Sequence, residues 1–402
     1  MRKFIKTASV LLAVCSLLTA CGSGIDTLVD DTINQFGSDE FADVDDSKIQ
    51  EIKDAIKKQE EMIETLKNST QAPTTMTILE AEGLCRPLGR VVMLGNSLTC
   101  DWTAAGVEFS LLCKGDISIE VTSASSSMSF RVELDGNVQK NFAVNKGNGV
   151  YTVASDLEAD FHTLRIVSEK SYGANTTIDS ITFTGTMLES PKDKAYIEVV
   201  GDSITCGAGL GNGGDGTMGY AYLALDELDA DYSICSNGGM GIAYAGSETN
   251  IFSEVYPYQN LKRDKTPYAP TRTPDLIVVN LHTNDNWQWF SNTKNAENEK
   301  YNYETFDAKF DEMIMTFTSL YGKDVPMLFV FGCMANPLYE NATLRSKELI
   351  KLKYVPDGYD MKIAQLTTNR EGDASHPNEA GANRQGAELA AFIRKTYPDL
   401  FN

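Results

Sequence analysis

The feature that most constrains this chain is a change of hydrophobic period near residue 190. Before it, short alternating apolar runs stand at 106–112, 117–122, 128–134, 150–153, 161–168 and 178–183. Turn signals separate them, including Lys114-Gly115-Asp116, Asp135-Gly136-Asn137 and Lys146-Gly147-Asn148-Gly149. Period-two runs at this spacing predict an all-β sandwich or jelly roll over residues 79–188, with a hairpin at Asp135-Gly136. After the change, apolar stretches at 195–200, 232–235, 275–281, 326–331 and 361–366 alternate with helical patterns at 220–228, 306–320 and 380–396. Strands apolar on both faces and alternating with helices predict a doubly wound parallel sheet, an α/β domain over 192–402. Such a sheet binds its ligands at the carboxyl ends of the strands.

The first 78 residues belong to neither pattern. Arg2, Lys3 and Lys6 precede an apolar run at 8–18 that is too short to span a bilayer comfortably. The run ends in Leu18-Thr19-Ala20-Cys21, which resembles a bacterial lipobox. That resemblance implies a signal peptide over 1–20, cleavage before Cys21, lipidation there, and an exported lipoprotein anchored at the cell surface. Residues 21–78 read as an acidic tether followed by a helix. In that helix Ile49, Ile52, Ile56, Gln59, Ile63 and Leu66 recur at spacings of three and four. The seam suits either a short coiled coil that associates with a second copy or a stalk helix lying on its own domain.

Charge and cysteines narrow the partners. The formal net charge is −21, and losing the three cations of the leader takes it to −24. Such a chain repels phosphate backbones, so nucleic acid is excluded as a partner and a neutral or cationic one fits. There is no Cys-x-x-Cys pair, so no zinc site of the usual spacing is expected. Cys85, Cys100 and Cys113 are close enough in sequence to supply a disulfide, with no pairing singled out.

Three short motifs carry the chemistry. The first apolar strand after the change runs into Gly201-Asp202-Ser203-Ile204, placing a serine at the site-bearing edge before a helix whose start lends positive potential. The third strand ends in His282-Thr283-Asn284-Asp285, where an asparagine amide can donate to a developing oxyanion. The terminal helix is preceded by Asp373-Ala374-Ser375-His376-Pro377, which supplies a base and an acid to orient it from one loop. Taken singly, each motif is equally well a turn or a helix cap.

In this order the motifs resemble the SGNH (GDSL-type) hydrolases over about residues 195–397. The resemblance implies a flavodoxin-like sheet with Ser203 as nucleophile, His376 as general base and Asp373 as its orienting acid. It further implies an oxyanion hole formed by the Ser203 N–H, the Asn284 amide and a glycine N–H after the second strand. Spacing within 236–241 favours Gly241, with Gly239 second. The family usually has glycine where this chain has His282, so the imidazole either contacts substrate in the cleft or faces the core.

The preceding sandwich makes the layout similar to carbohydrate esterase family two over about 88–402. That family deacetylates plant polysaccharides such as xylan and glucomannan, and some members orient histidine through a backbone carbonyl, which would lessen the weight of Asp373. Trp287, Trp289 and Phe290 follow the asparagine motif, and aromatic faces pack well on pyranose rings. Trp287 and Trp289 are therefore expected at the substrate, with one of the two touching sugar and the other serving the core or a lid. The expected reaction is acyl transfer from an acetylated polysaccharide or oligosaccharide, with no cofactor and no metal. Two rivals remain: an esterase for other acyl esters or peptidoglycan O-acetyl groups, and a non-catalytic glycan-binding lipoprotein.

Overall fold

The computed structural model describes residues 46–170, 175–191, 194–211, 213–244, 250–259, 261, 265–292, 296–334, 340–368 and 376–401. The leader, Cys21 and most of the tether lie outside the described residues, as does Asp373. Helix α1 (Asp46–Lys67) packs on the sandwich. Its Ile56 and Leu66 are buried, and Gln59 and Ile63 are half-buried. Lys114 Nζ fixes the end of the helix by donating to the carbonyls of Lys67 at 3.0 Å and Ser69 at 2.8 Å. This part of the apolar seam is thus occupied within the chain.

The sandwich is built on β1 (Gly106–Ser123), β2 (Ser129–Leu134), β3 (Gly147–Ser168) and β4 (Thr177–Leu188), with shorter strands at its edges. Two pairs of expected strands are each one long strand. Lys114-Gly115-Asp116 does not reverse the chain. The β1–β3 ladder instead slips through Cys113↔Asp160, Gly115↔Leu157 and Ile117↔Ala154. Gly115 and Asp156 take positive φ there, at 74° and 55°. Facing irregularities thus interrupt the ladder of both strands at one level. Phe109, Leu111, Ile119, Phe130, Val132, Ile181 and Phe183 fill the shared core. Asp135-Gly136 makes the expected hairpin, with both residues at positive φ between Leu134 and Asn137. Cys85, Cys100 and Cys113 are buried and none is joined in a disulfide, so the bridge the sequence permits does not form.

The second domain carries β5 (Tyr196–Gly201), β6 (Asp231–Ser236), β7 (Leu276–Asn280), β8 (Met327–Phe331) and β9 (Met361–Gln365). All pair in parallel in the order β6-β5-β7-β8-β9, the flavodoxin-like arrangement. The helices that position the site are α2 (Tyr220–Glu227), α3 (Thr283–Asn292), α4 (Ala296–Tyr321), α5 (Asn341–Leu349) and α6 (Glu379–Thr396).

The two domains share their cores. Leu88, Ala104 and Val167 of the first pack with Ile197, Val199 and Ile234 of the second. Strand β6 is an edge strand, and the segment leading into β1 covers it. Thr103 bridges Ile234, Gly89 N donates to Tyr232 O at 2.9 Å, and Tyr232 OH donates to Ala104 O at 3.0 Å. A covered edge cannot template pairing with another chain. Glu198, the one charge in the otherwise apolar β5, meets Arg90 of the first domain at 3.3 Å with both side chains fully buried. Tyr321 OH donates to Glu198 at 3.1 Å, and the Arg90 guanidinium stacks on Tyr268 and Tyr256 at 3.9 and 4.3 Å.

Candidate active site

Strand β5 delivers Ser203 into a tight turn at the carboxyl edge. A Cβ on Gly201 would lie 1.9 Å from Thr205 Oγ1, so only glycine lets the chain turn there. Asp202 Oδ1 accepts from Ile204 N at 2.9 Å, and Cys206 N donates to Asp202 O at 3.0 Å, closing the turn around the serine. A run of turns follows, and the next helix, α2, begins at Tyr220, where the pattern at 220–228 predicts it. The α2 residue Tyr220 braces the site. Its hydroxyl lies 3.1 Å from Thr205 Oγ1 and accepts from Asn280 Nδ2 at 2.9 Å.

His376 Nε2 lies 2.7 Å from Ser203 Oγ, across 173 residues of sequence. The cap of α6 is Asn378, whose side chain accepts from Gly381 N at 2.9 Å. His376 is thereby released from a capping role. Half-buried, it has its pKa lowered by desolvation, which keeps the imidazole neutral and able to accept a proton near neutral pH.

Asn284, in the first turn of α3, ties the remaining loops together. Its amide donates to Met240 O at 2.9 Å and reaches Asp202 Oδ2 at 3.5 Å. It thus contacts the residue before Gly241 and the residue before Ser203. Gly241 itself has no space for a side chain, since a Cβ would sit 1.7 Å from Tyr244 O and 2.8 Å from Asp285 Oδ2. Ser203, Gly241, Asn284 and His376 are brought to one edge of one sheet, as a nucleophile, two candidate oxyanion donors and a base require.

Two carboxylates that sequence reasoning passed over support this edge. Asp285 accepts from Ile242 N, Ala243 N and Tyr244 N at 2.8, 2.7 and 2.8 Å, clamping the loop that carries Gly241. Asp202 and Asp285 are both fully buried, and burial pushes each up to about 7 against the pull of their N–H donors. The signal lay in the motifs themselves, each of which sets an aspartate directly beside its reactive residue.

Two of the three candidates for substrate contact are buried. Trp289 is fully buried, edge-on to Tyr303 at 4.8 Å and beside Phe306 at 5.5 Å, so it is a core residue, the place expected for one of the two tryptophans. His282 is 7 % exposed, its ring 4.5 Å from that of Phe331, lining a cavity of about 50 Å³ with Asn286, Thr343, Lys347 and Gln365. Burial, with the Lys347 charge, takes its pKa down to about 3. This neutral imidazole takes the core-facing alternative. Trp287, two residues before Trp289, is 58 % exposed. Phe290 lies outside the described side chains.

Comparison with known proteins follows the same two-part division. Residues 88–191 match the family model for the carbohydrate esterase 2 N-terminal domain, and residues 197–389 match the GDSL-like lipase/acylhydrolase model. Together the two matches make the chain similar to the SGNH hydrolases of the carbohydrate esterase family two type. An acetylxylan esterase / glucomannan deacetylase of Cellvibrio japonicus is 33 % identical over 113 residues, 24 % of this chain and 31 % of that protein. The matched segment thus spans about a third of that relative's length. Among solved structures, an acetyl xylan esterase of the rumen bacterium Butyrivibrio proteoclasticus superposes with a TM-score of 0.71 at 17 % identity, covering 82 % of this chain and 100 % of that one. A family two carbohydrate esterase of Clostridium thermocellum, solved with cellohexaose, gives 0.66 at 20 % identity, covering 78 % and 99 %. At these identities the superpositions speak for the fold.

Proposed function

We propose that this chain is a serine esterase that removes O-acetyl groups from a polysaccharide of the xylan or glucomannan kind. The 2.7 Å contact between Ser203 Oγ and His376 Nε2, beside Asn284, carries the reading. His376 takes the Ser203 proton as the oxygen attacks the acetyl carbonyl. The Ser203 and Gly241 N–H groups and the Asn284 amide receive the oxyanion. His376 then protonates the departing sugar hydroxyl, and a water it activates releases acetate. Asp373 is assigned to orient His376, and it lies outside the described residues. The family resemblance and the relative's acetylxylan and glucomannan activity support the acetyl-sugar substrate.

The lipobox-like ending at Cys21 supports an exported lipoprotein anchored at the cell surface. The apolar positions of the helix that precede Ile56 support a further role in self-association.

The test is acetate release from acetylated xylan, glucomannan and peptidoglycan, and hydrolysis of an aryl acetate, by wild type and Ser203→Ala. We expect release from the plant polysaccharides and a loss of at least about 10⁴-fold in the variant, since removing a serine nucleophile costs on the order of 10⁶ in a related chemistry. Equal activity in the two proteins would overturn the assignment.

A further inference from the structure

Ser203 and His376 reach each other from separate supports. Ser203 follows β5, next to the edge strand β6 that the sandwich covers, whereas His376 follows β9, the opposite edge strand, in the chain. The turn that carries Ser203 is held by three backbone bonds of its own: Cys206 N to Asp202 O at 3.0 Å, Gly207 N to Ile204 O at 3.1 Å and Ala208 N to Ser203 O at 2.9 Å. Their 2.7 Å contact therefore depends on where this turn is seated. A displacement of about 1 Å at a reacting group can cost on the order of 10²-fold in rate.

The seat comes from the first domain. Thr103, fully buried in the segment leading into β1, has its Oγ1 2.7 Å from Ser236 Oγ. Ser236 Oγ in turn accepts from Cys206 Sγ at 3.3 Å. Ser236 ends β6 and pairs with Gly201, so this hydroxyl pair meets the nucleophile turn at its root. The Thr103 methyl group faces Gly216, where a Cβ would lie 2.3 Å from Cγ2. The residues just after β3 add two ties. Gly216 N donates to Glu169 O at 2.8 Å, and the buried Lys170 donates to Gly214 O. Between these two glycines, Asp215 N donates to Gly207 O at 3.1 Å and carries the hold back to the turn. Thr103 and Glu169 share one frame, because Ser168 Oγ donates to Trp102 O at 3.0 Å and Ser168 N to Ala105 O at 2.9 Å.

We infer that Thr103 is a positioning residue for Ser203, acting through Ser236 and Cys206, so that the sandwich forms part of the catalytic machinery and sets the seat of the nucleophile. This rests on the esterase reading above and deepens it. It assigns the first domain a role in the chemical step itself, one that is felt on a substrate with no sugar in it.

The experiment compares full-length wild type, Thr103→Val and Thr103→Ser on an aryl acetate. Valine keeps the shape and removes the hydroxyl, and serine keeps the hydroxyl. The inference expects kcat to fall at least about fivefold in Thr103→Val with KM within about twofold, and to return to at least about half of wild type in Thr103→Ser. A kcat in Thr103→Val within about twofold of wild type would overturn it, as would an equal fall in both variants, which would make the threonine merely structural. A second arm separates this from the esterase reading. Hydrogen exchange of the Cys206, Gly207 and Ala208 amides is measured in wild type and Thr103→Val, with the amides of α6 as the reference. Exchange faster by about tenfold at the turn and unchanged in α6 supports the seat even if wild type releases no acetate. Equal exchange at the turn counts against it even if the enzyme is active.

Discussion

At the seam between the domains, buried acids meet cations. Glu198 faces Arg90 with no solvent contact, and Arg86 joins Glu108 at 2.6 Å and also Asp231. At the catalytic edge Asp202 and Asp285 are equally buried, but their partners are backbone N–H groups, the Thr283 side chain and the Asn284 amide. The consequence is electrostatic. Arg86 and Arg165 hold Glu108 below the usual carboxylate range against its burial, whereas Asp202 and Asp285 are pushed up to about 7. Cations at the seam fix the two domains as one body. At the edge, backbone dipoles hold the loops in place.

The largest effect should come from breaking the seam. Glu198→Ala leaves Arg90 buried without its carboxylate and should cost about 3–5 kcal/mol of stability, read by denaturant unfolding. A loss below about 1 kcal/mol would mean that the pair does not hold the domains. Next comes the edge. Asn284→Ala should lower kcat by about 10²–10³-fold, on the order of 2.7–4 kcal/mol of transition-state stabilisation, with a smaller effect on melting than Glu198→Ala. A variant losing stability and no activity would place Asn284 with the seam residues, as a purely structural tie.

The smallest effect is a difference in sign with pH. Asp202 and Asp285 have raised folded pKa values, so their contribution is full below about pH 3.8 and is lost as pH rises toward 7. Glu108 has a lowered one, so its contribution is present above the ordinary value of 4.5 and is lost as pH falls through the folded value. Melting temperatures of Asp202→Asn and Glu108→Gln against wild type between pH 3 and 8 should therefore diverge in opposite directions. With rising pH the first variant should gain on wild type by a few degrees and the second should fall behind. Parallel curves would erase the distinction between the two regions.

Much of this was legible in the residues. The strands of the parallel sheet were placed to within a residue or two, because strands buried on both faces are apolar throughout. The Asp135-Gly136 hairpin followed from local turn chemistry. Ser203, Asn284 and His376 could be singled out because short motifs mark strand ends and helix starts. The kinks at Gly115 and Asp156 were misread as turns, since a bulge and a reversal use the same residues and only the partner strand distinguishes them. The adjacent tryptophans divided in the same way. Trp287 and Trp289 are alike in sequence, and the packing of α3 against Tyr303 and Phe306 decides which is exposed.

Local pattern was enough to set the order of elements, the sheet type and the residues able to carry acyl transfer, because these depend on periodicity and on neighbours a few positions away. Packing between elements decides that His282 is buried against Phe331, that Glu198 finds Arg90, that Asp285 clamps the Gly241 loop, and that His376 comes within 2.7 Å of Ser203. Each of those joins groups from separate elements. Burial and pKa follow from the packing of the whole, which no local pattern encodes.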